Sequence, residues 1–198
     1  MIVKKIIEQL LQKNKNLKIA EIGVLSGERS KQILETIVNF SECHYWAIDW
    51  FKGYLDFPDD FGDINSILND FLNNMSTYDK KMWTLFVGMS HECIKKLPDN
   101  MDIIFIDGSH AYSQVKKDIE ASIVILKNGG ILVGHDYCSE FNTTITYTEY
   151  QLEVESQHSH LGVTKAVLET IGPNNFSLDG IFWISQKIND KMQFFELN

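Results

Sequence analysis

Four side chains carry the most chemistry in this sequence: Asp107, His110, His135 and Asp136. Asp107 follows the apolar run 102–106 and Asp136 comes soon after 131–133. Between the runs, Val115, Ile119, Ile123 and Leu126 recur at helical spacing, and Asn128-Gly129-Gly130 is a helix stop. Strand, helix, strand in that order puts both aspartates at one edge of a parallel sheet, whose neighbouring strands lie about 4.8 Å apart. Two outward-facing carboxylates there could converge on one hard cation, with His135 as a third ligand. The plainer reading has Asp107 capping the next helix and touching a ligand, while His135 and Asp136 satisfy loop backbone. Imidazoles change charge near neutrality, so His110 and His135 are both candidate general bases, with Asp136 as an orienting partner.

A second group lies earlier. In Glu21-Ile22-Gly23-Val24-Leu25-Ser26-Gly27, two glycines stand where an apolar run (17–22) gives way to Ile33, Leu34, Ile37 and Val38 at helical spacing. Glycine there lets backbone approach a ligand without a Cβ in the way, although an ordinary strand-to-helix turn looks the same. Asp49 ends the next strand-like run, near the roughly 20-residue offset at which a carboxylate meets both ribose hydroxyls; a helix cap is the alternative. The third glycine of a dinucleotide fingerprint is absent, which disfavours a nicotinamide enzyme.

The elements that must hold these groups alternate. Residues 1–16 open with an amphipathic helix on Ile2, Val3, Ile6, Ile7, Leu10 and Leu11, and Ile64, Ile67, Leu68, Phe71 and Leu72 predict another. Runs 43–48 and 82–87 are strands, and 163–171 is a short helix. Runs 176–178, 181–185 and 192–197 are β-prone and separated by Asp179-Gly180 and Asn189-Asp190, which predicts an antiparallel end. The polar, threonine-rich stretch 137–162 reads as a lid beside the site, with a solvated His158 and His160. Trp46, Trp83, Phe105, Phe182 and Trp183 are expected in the core. Trp50, Phe51, Tyr54, Phe57, Tyr112, Tyr137, Tyr147 and Tyr150 divide between core and pocket. An alternating α/β chain binds its ligand beyond the carboxyl ends of its strands.

The sequence of 198 residues is 44% hydrophobic and carries net charge -9, with Arg29 its only arginine. That fits one α/β domain and argues against nucleic acid or anionic membrane as partner. Cys43, Cys93 and Cys138 have no paired spacing, which suits a reducing cytoplasm.

Over roughly 20–168 the chain resembles the class I S-adenosylmethionine-dependent methyltransferases, and more narrowly their macrocin O-methyltransferase and cephalosporin hydroxylase-like branch. The likeness rests on Glu21-Ile22-Gly23 with Gly27, Asp49-Trp50, Gly88-Met89-Ser90, the run from Phe105 to Tyr112, Gly129-Gly130 before His135-Asp136-Tyr137, and the run from Gly162 to Val167. The resemblance implies a doubly wound, mostly parallel seven-stranded sheet of order 3-2-1-4-5-7-6, strand 7 antiparallel, with helices on both faces. It implies that Glu21 and Gly23 lie along the methionine part of the cofactor and Asp49 holds the ribose. Met89 and Ser90 would flank adenine, and Gly27, Trp50 and Asp107 would complete the cofactor contacts. In that branch acidic residues at the places of Asp107, His135 and Asp136 resemble a magnesium site; histidine in the middle softens the ligand set. The expected activity is O-methylation of a small hydroxylated acceptor, sugar or natural-product-like, assisted by a divalent cation, with a homodimer left open. The rivals are a cephalosporin hydroxylase-like enzyme and a non-catalytic cofactor-binding domain.

Overall fold

Along the predicted strands successive side chains leave for opposite sides, and both sides are apolar, so each strand must be covered twice. The computed structural model, which describes residues 2–52, 64–154 and 160–196, shows how. In chain order the elements are α1 (Ile2–Lys13), β1 (Lys18–Ile22), α2 (Glu28–Ile37), β2 (His44–Asp49), α3 (Ile64–Met75) and β3 (Trp83–Val87). There follow α4 (Ser90–Cys93), a 3-10 turn at Ile94–Lys96, β4 (Met101–Ile106), α5 (Tyr112–Ile125) and β5 (Leu126–Gly134). The chain continues through α6 (Glu149–Glu153), α7 (Leu161–Thr170), β6 (Ser177–Asp179), β7 (Phe182–Ile188) and β8 (Lys191–Phe194).

The strand order is β3-β2-β1-β4-β5-β7-β6, with β1 to β5 parallel and β7 antiparallel to β5. This is the expected order, enlarged by an eighth strand. β6 pairs with 182–184 of β7 and β8 with 185–188, so the two share its outer edge in tandem.

Ile19, Phe105 and Val133 turn to one face, where α1, α2 and α3 bring Ile6, Leu34 and Phe71. Ala20, Ile104, Leu132 and Trp183 turn to the other, covered by Val115 and Ile119 of α5 and Val163 and Val167 of α7. Each such aliphatic side chain stabilises the fold by about 1.5–3 kcal/mol. Phe105 and Trp183 are fully buried as expected, whereas Trp46, Trp83 and Phe182 only pack against the core from its margin.

Two expectations shift. α5 ends at Ile125, and Asn128-Gly129-Gly130 belongs to β5, where the pairing slips between Met101↔Leu126 and Ile103↔Ile131. The glycines therefore make a bulge instead of stopping a helix. The stretch 137–162 holds α6, opened by a capping box between Thr148 and Gln151 and pinned by buried Leu152. Tyr54, Phe57, His158 and part of that stretch lie outside the described residues.

Candidate active site

The sheet ladder continues one step past its strands. Gly23 N–H donates to the Ile48 carbonyl (2.8 Å), Asp107 N–H to Ile22 (2.8 Å) and His135 N–H to Ile106 (3.1 Å). Gly23, Asp107 and His135 are thus set by the sheet itself, at its carboxyl edge. Gly23 has φ +82, and a Cβ on it would lie 2.0 Å from the Asp107 carbonyl oxygen. Glycine is required because two loops touch, before any ligand is considered. A Cβ on Gly27 would meet the Phe71 ring at 2.8 Å, so that glycine serves packing against α3.

Asp49 braces the same turn. Its Oδ2 accepts from the N–H groups of Val24 (2.8 Å) and Leu25 (3.0 Å), and its Oδ1 from Phe51 N–H (2.8 Å). The carboxylate caps no helix; it ties the loop after β1 to the loop after β2. Trp50 follows it with Lys52 over its ring, while Phe51 is buried against Phe71.

Asp107, at the end of β4, is salt-bridged by Arg29, whose guanidinium lies 4.6 Å from the Phe105 ring centre. Its Oδ1 is 3.4 Å from His135 Nδ1, and that nitrogen is 2.9 Å from Asp136 Oδ1. Burial works against a charged imidazole here, yet hydrogen bonding to the two aspartates outweighs it and raises His135 to about 9. Asp136 Oδ2 meets His110 Nε2 at 3.0 Å. Burial alone would raise the Asp136 carboxyl, but His110 and His135 hold it well below the usual carboxylate range. Asp136 has φ 62. Its two oxygens divide, Oδ2 to His110 beside α5 and Oδ1 to His135 beside β7.

Sequence reasoning missed His160 and Arg29. His160 is not solvated: its ring stands 4.1 Å from that of His110, and burial, then His110, lowers its pKa. A Cβ on Gly162 would come 2.3 Å from the Leu152 carbonyl, 2.5 Å from the His110 carbonyl and 2.6 Å from Tyr112 N. That closeness fixes the start of α7, and with it His160, against the loop after β4. Arg29 stands out in the sequence only as the lone arginine, although its place two residues past Gly27, in the first turn of α2, sets it beside the strand ends.

Glu21 and Ser90 point elsewhere than expected. Glu21 is wholly buried beneath α2, where Tyr45 and Ser30 donate to Oε2; burial pushes its carboxyl up to about 7. It supports the turn from below. Ser90 donates to Asp118 Oδ1 (2.7 Å) and accepts from Gln114 (3.0 Å), so its hydroxyl faces α5, with Met89 just before α4. Tyr112 donates to Glu169, Tyr137 packs on Phe176, Tyr147 stacks on Phe141, and Tyr150 is exposed.

The ligand atoms of Asp107, His135 and Asp136 lie within 4.8 Å of one another, a mixed nitrogen and oxygen set that suits a divalent ion. An ion there would displace the proton from His135. The adjoining cleft, lined by Asp107, Ser109, His110, His135, Asp136 and Trp183, has an internal volume of about 10 Å³, room for about one water.

This arrangement has relatives. A methyltransferase domain family matches residues 20–137. No curated protein matches. Solved structures share the fold: the O-methyltransferase NovP aligns over 95% of this chain and 78% of its own, with TM-score 0.68 and 16% identity. TomG from Streptomyces achromogenes, involved in tomaymycin synthesis and solved in complex with S-adenosylmethionine, aligns over 95% and 80%, with TM-score 0.65 and 12% identity. The TDP-rhamnose 3'-O-methyltransferase CalS11 aligns over 93% and 77%, with TM-score 0.61 and 13% identity. Since the family match spans more than half of the sequence and the strand order is that of the fold, the chain belongs to the methyltransferase domain family, as a class I, S-adenosylmethionine-dependent enzyme.

Proposed function

We propose that the protein methylates an oxygen of a small hydroxylated acceptor, with a divalent cation held by Asp107, His135 and Asp136. The observation that carries this reading is the meeting of those three residues with His110 at the ends of β4 and β5. S-adenosylmethionine, when bound, supplies an electrophilic methyl group. The cation, magnesium in the first instance, would lower the pKa of an acceptor hydroxyl and orient it.

The chain's own groups do the rest. Asp49 accepts from the ribose hydroxyls while keeping the glycine turn folded, with Trp50 beside it and Met89 and Ser90 on the adenine side. His110 takes the hydroxyl proton on its ring, and Asp136, which accepts from His110 Nε2–H at 3.0 Å, orients the ring and stabilises its charged form. Arg29 fixes Asp107 and offsets part of the negative charge. Residues 137–162 serve as a lid over the acceptor, with exposed Ile145 and Tyr150 on offer to it. CalS11 is named for a sugar nucleotide and TomG for a natural product, which supports an acceptor of that kind. Among the described residues no helix is long and apolar enough to cross a membrane, and we place the reaction in the cytoplasm on a soluble substrate.

The test is release of S-adenosylhomocysteine across a panel of sugar nucleotides and glycosides. Asp136→Asn should lower turnover far more than cofactor affinity, and a chelator should stop turnover. Full turnover by the chelated enzyme would remove the cation from the reaction; binding without turnover on any acceptor would favour a non-catalytic domain.

A further inference from the structure

His160 is an anomaly. Its Nδ1 is buried without a hydrogen-bond partner, and its Nε2 is 3.8 Å from Asp136 Oδ1, beyond hydrogen-bond reach. Yet the side chain is held inward, at φ 43, by the close contact of Gly162 with the neighbouring backbone. A half-buried imidazole in a constrained backbone, aimed at a carboxylate it does not touch, suggests that something belongs between them.

We infer that His110, Asp136 and His160 form a second metal site, one that takes a borderline transition-metal dication such as zinc or cobalt. Their ligand atoms lie within 4.8 Å of one another. In a tetrahedral site with bonds of about 2.0–2.2 Å, ligand atoms stand about 3.3 Å apart. The separations from the Asp136 carboxylate, 3.0 Å from Oδ2 to His110 Nε2 and 3.8 Å from Oδ1 to His160 Nε2, bracket that value. Two imidazoles and one carboxylate favour such ions over magnesium, which prefers oxygen. Three protein ligands leave a fourth position open to the cleft. Asp136 is shared with the Asp107 and His135 centre: its Oδ2 faces His110, while its Oδ1 faces His135 and, farther off, His160.

The consequence, which rests on the proposed role of His110, is inhibition: a metal-bound His110 cannot accept a proton. The binding itself does not depend on that role. It is tested with metal alone, so a failed methylation assay and a failed metal titration are separate outcomes.

The experiment is cobalt(II) titration of tag-free, chelator-stripped protein, followed by calorimetry and by the visible absorption that four-coordinate cobalt intensifies. His160→Asn is the informative variant, because asparagine tolerates left-handed backbone. It should weaken one cobalt site at least about tenfold, whereas His135→Asn should leave that site within about twofold. Wild-type affinity in His160→Asn, or no cobalt uptake by the wild type at millimolar metal, would overturn the inference. Should His160→Asn fail to fold, imidazole NMR of the wild type decides: zinc must shift the His110 and His160 resonances, and a shift confined to His135 would refute the site.

Discussion

Replacing Asp49 by alanine separates the bracing role visible in the structure from the ribose contact proposed for the same carboxylate. Three backbone N–H groups point at it, at 2.8, 3.0 and 2.8 Å. Val24 is buried and Leu25 exposed, so the N–H of Val24 loses its only ready partner while that of Leu25 turns to water. An unsatisfied buried donor costs about 1–3 kcal/mol, which is the expected loss of stability. Loss of the proposed ribose contact would be a further effect. Hydrogen bonds to a charged group contribute about 1.5–3 kcal/mol, equivalent to about 12- to 160-fold in affinity. Calorimetry with S-adenosylhomocysteine measures the sum, and repeating it with the 2'-deoxy analogue closes a cycle. If Asp49 touches the hydroxyl, removing that hydroxyl weakens binding to the wild type but hardly to Asp49→Ala. Penalties that simply add would refute direct contact and leave Asp49 as a brace of the glycine turn alone.

Glu21 makes stability depend on pH. Its carboxyl rises from 4.5 to about 7 on folding, so the contribution is most favourable below 4.5 and is lost as pH climbs through 7, by about 3 kcal/mol. Glu21→Gln keeps an acceptor for Tyr45 and Ser30 and should flatten that slope in urea unfolding between pH 4.5 and 7; a profile parallel to the wild type refutes the burial argument. Gly162→Ala drives a methyl into three backbone atoms that cannot rotate away. The expected loss is about 3 kcal/mol, or roughly 6–12 °C in Tm, and an unchanged melt would show that the close approach is relaxed in solution.

The sheet was readable because its parallel strands are short apolar runs ending in chemistry. Ile103, Ile104, Phe105 and Ile106 precede Asp107, and Ile131, Leu132 and Val133 precede Gly134 and His135. Convergence of Asp107, His135 and Asp136 followed from strand adjacency alone, since a parallel sheet aligns its ends. What escaped was set by other means. α4 spans only Ser90–Cys93, too short for periodicity. The Gly129-Gly130 bulge uses the same residues as a helix stop, and only pairing with β4 distinguishes them. The capping box of α6 was present as Thr148 and Gln151, but without an apolar stripe behind it. His160 joins His110 across fifty residues through Gly162, and its polar surroundings in sequence say nothing of the enclosure it enters. For Glu21 the resemblance implies a place along the cofactor, and strand alternation turns its side chain under α2, where Tyr45 and Ser30 donate to it.

The tandem cover of β7 bears on how the protein avoids itself. A sheet ends where its last strand leaves backbone groups unpaired, and a long, flat, apolar ending invites another chain to add a strand. β7, with seven residues, would be such an ending, but β6 takes 182–184 and β8 takes 185–188. What faces outward is one strand of three residues and another of four, too short to template an intermolecular sheet, with Lys191 at the start of the second. Loss of β8 would uncover 185–188, a segment bearing Ile188 and no negative charge, and turn a closed border into a place where copies of the chain stick together.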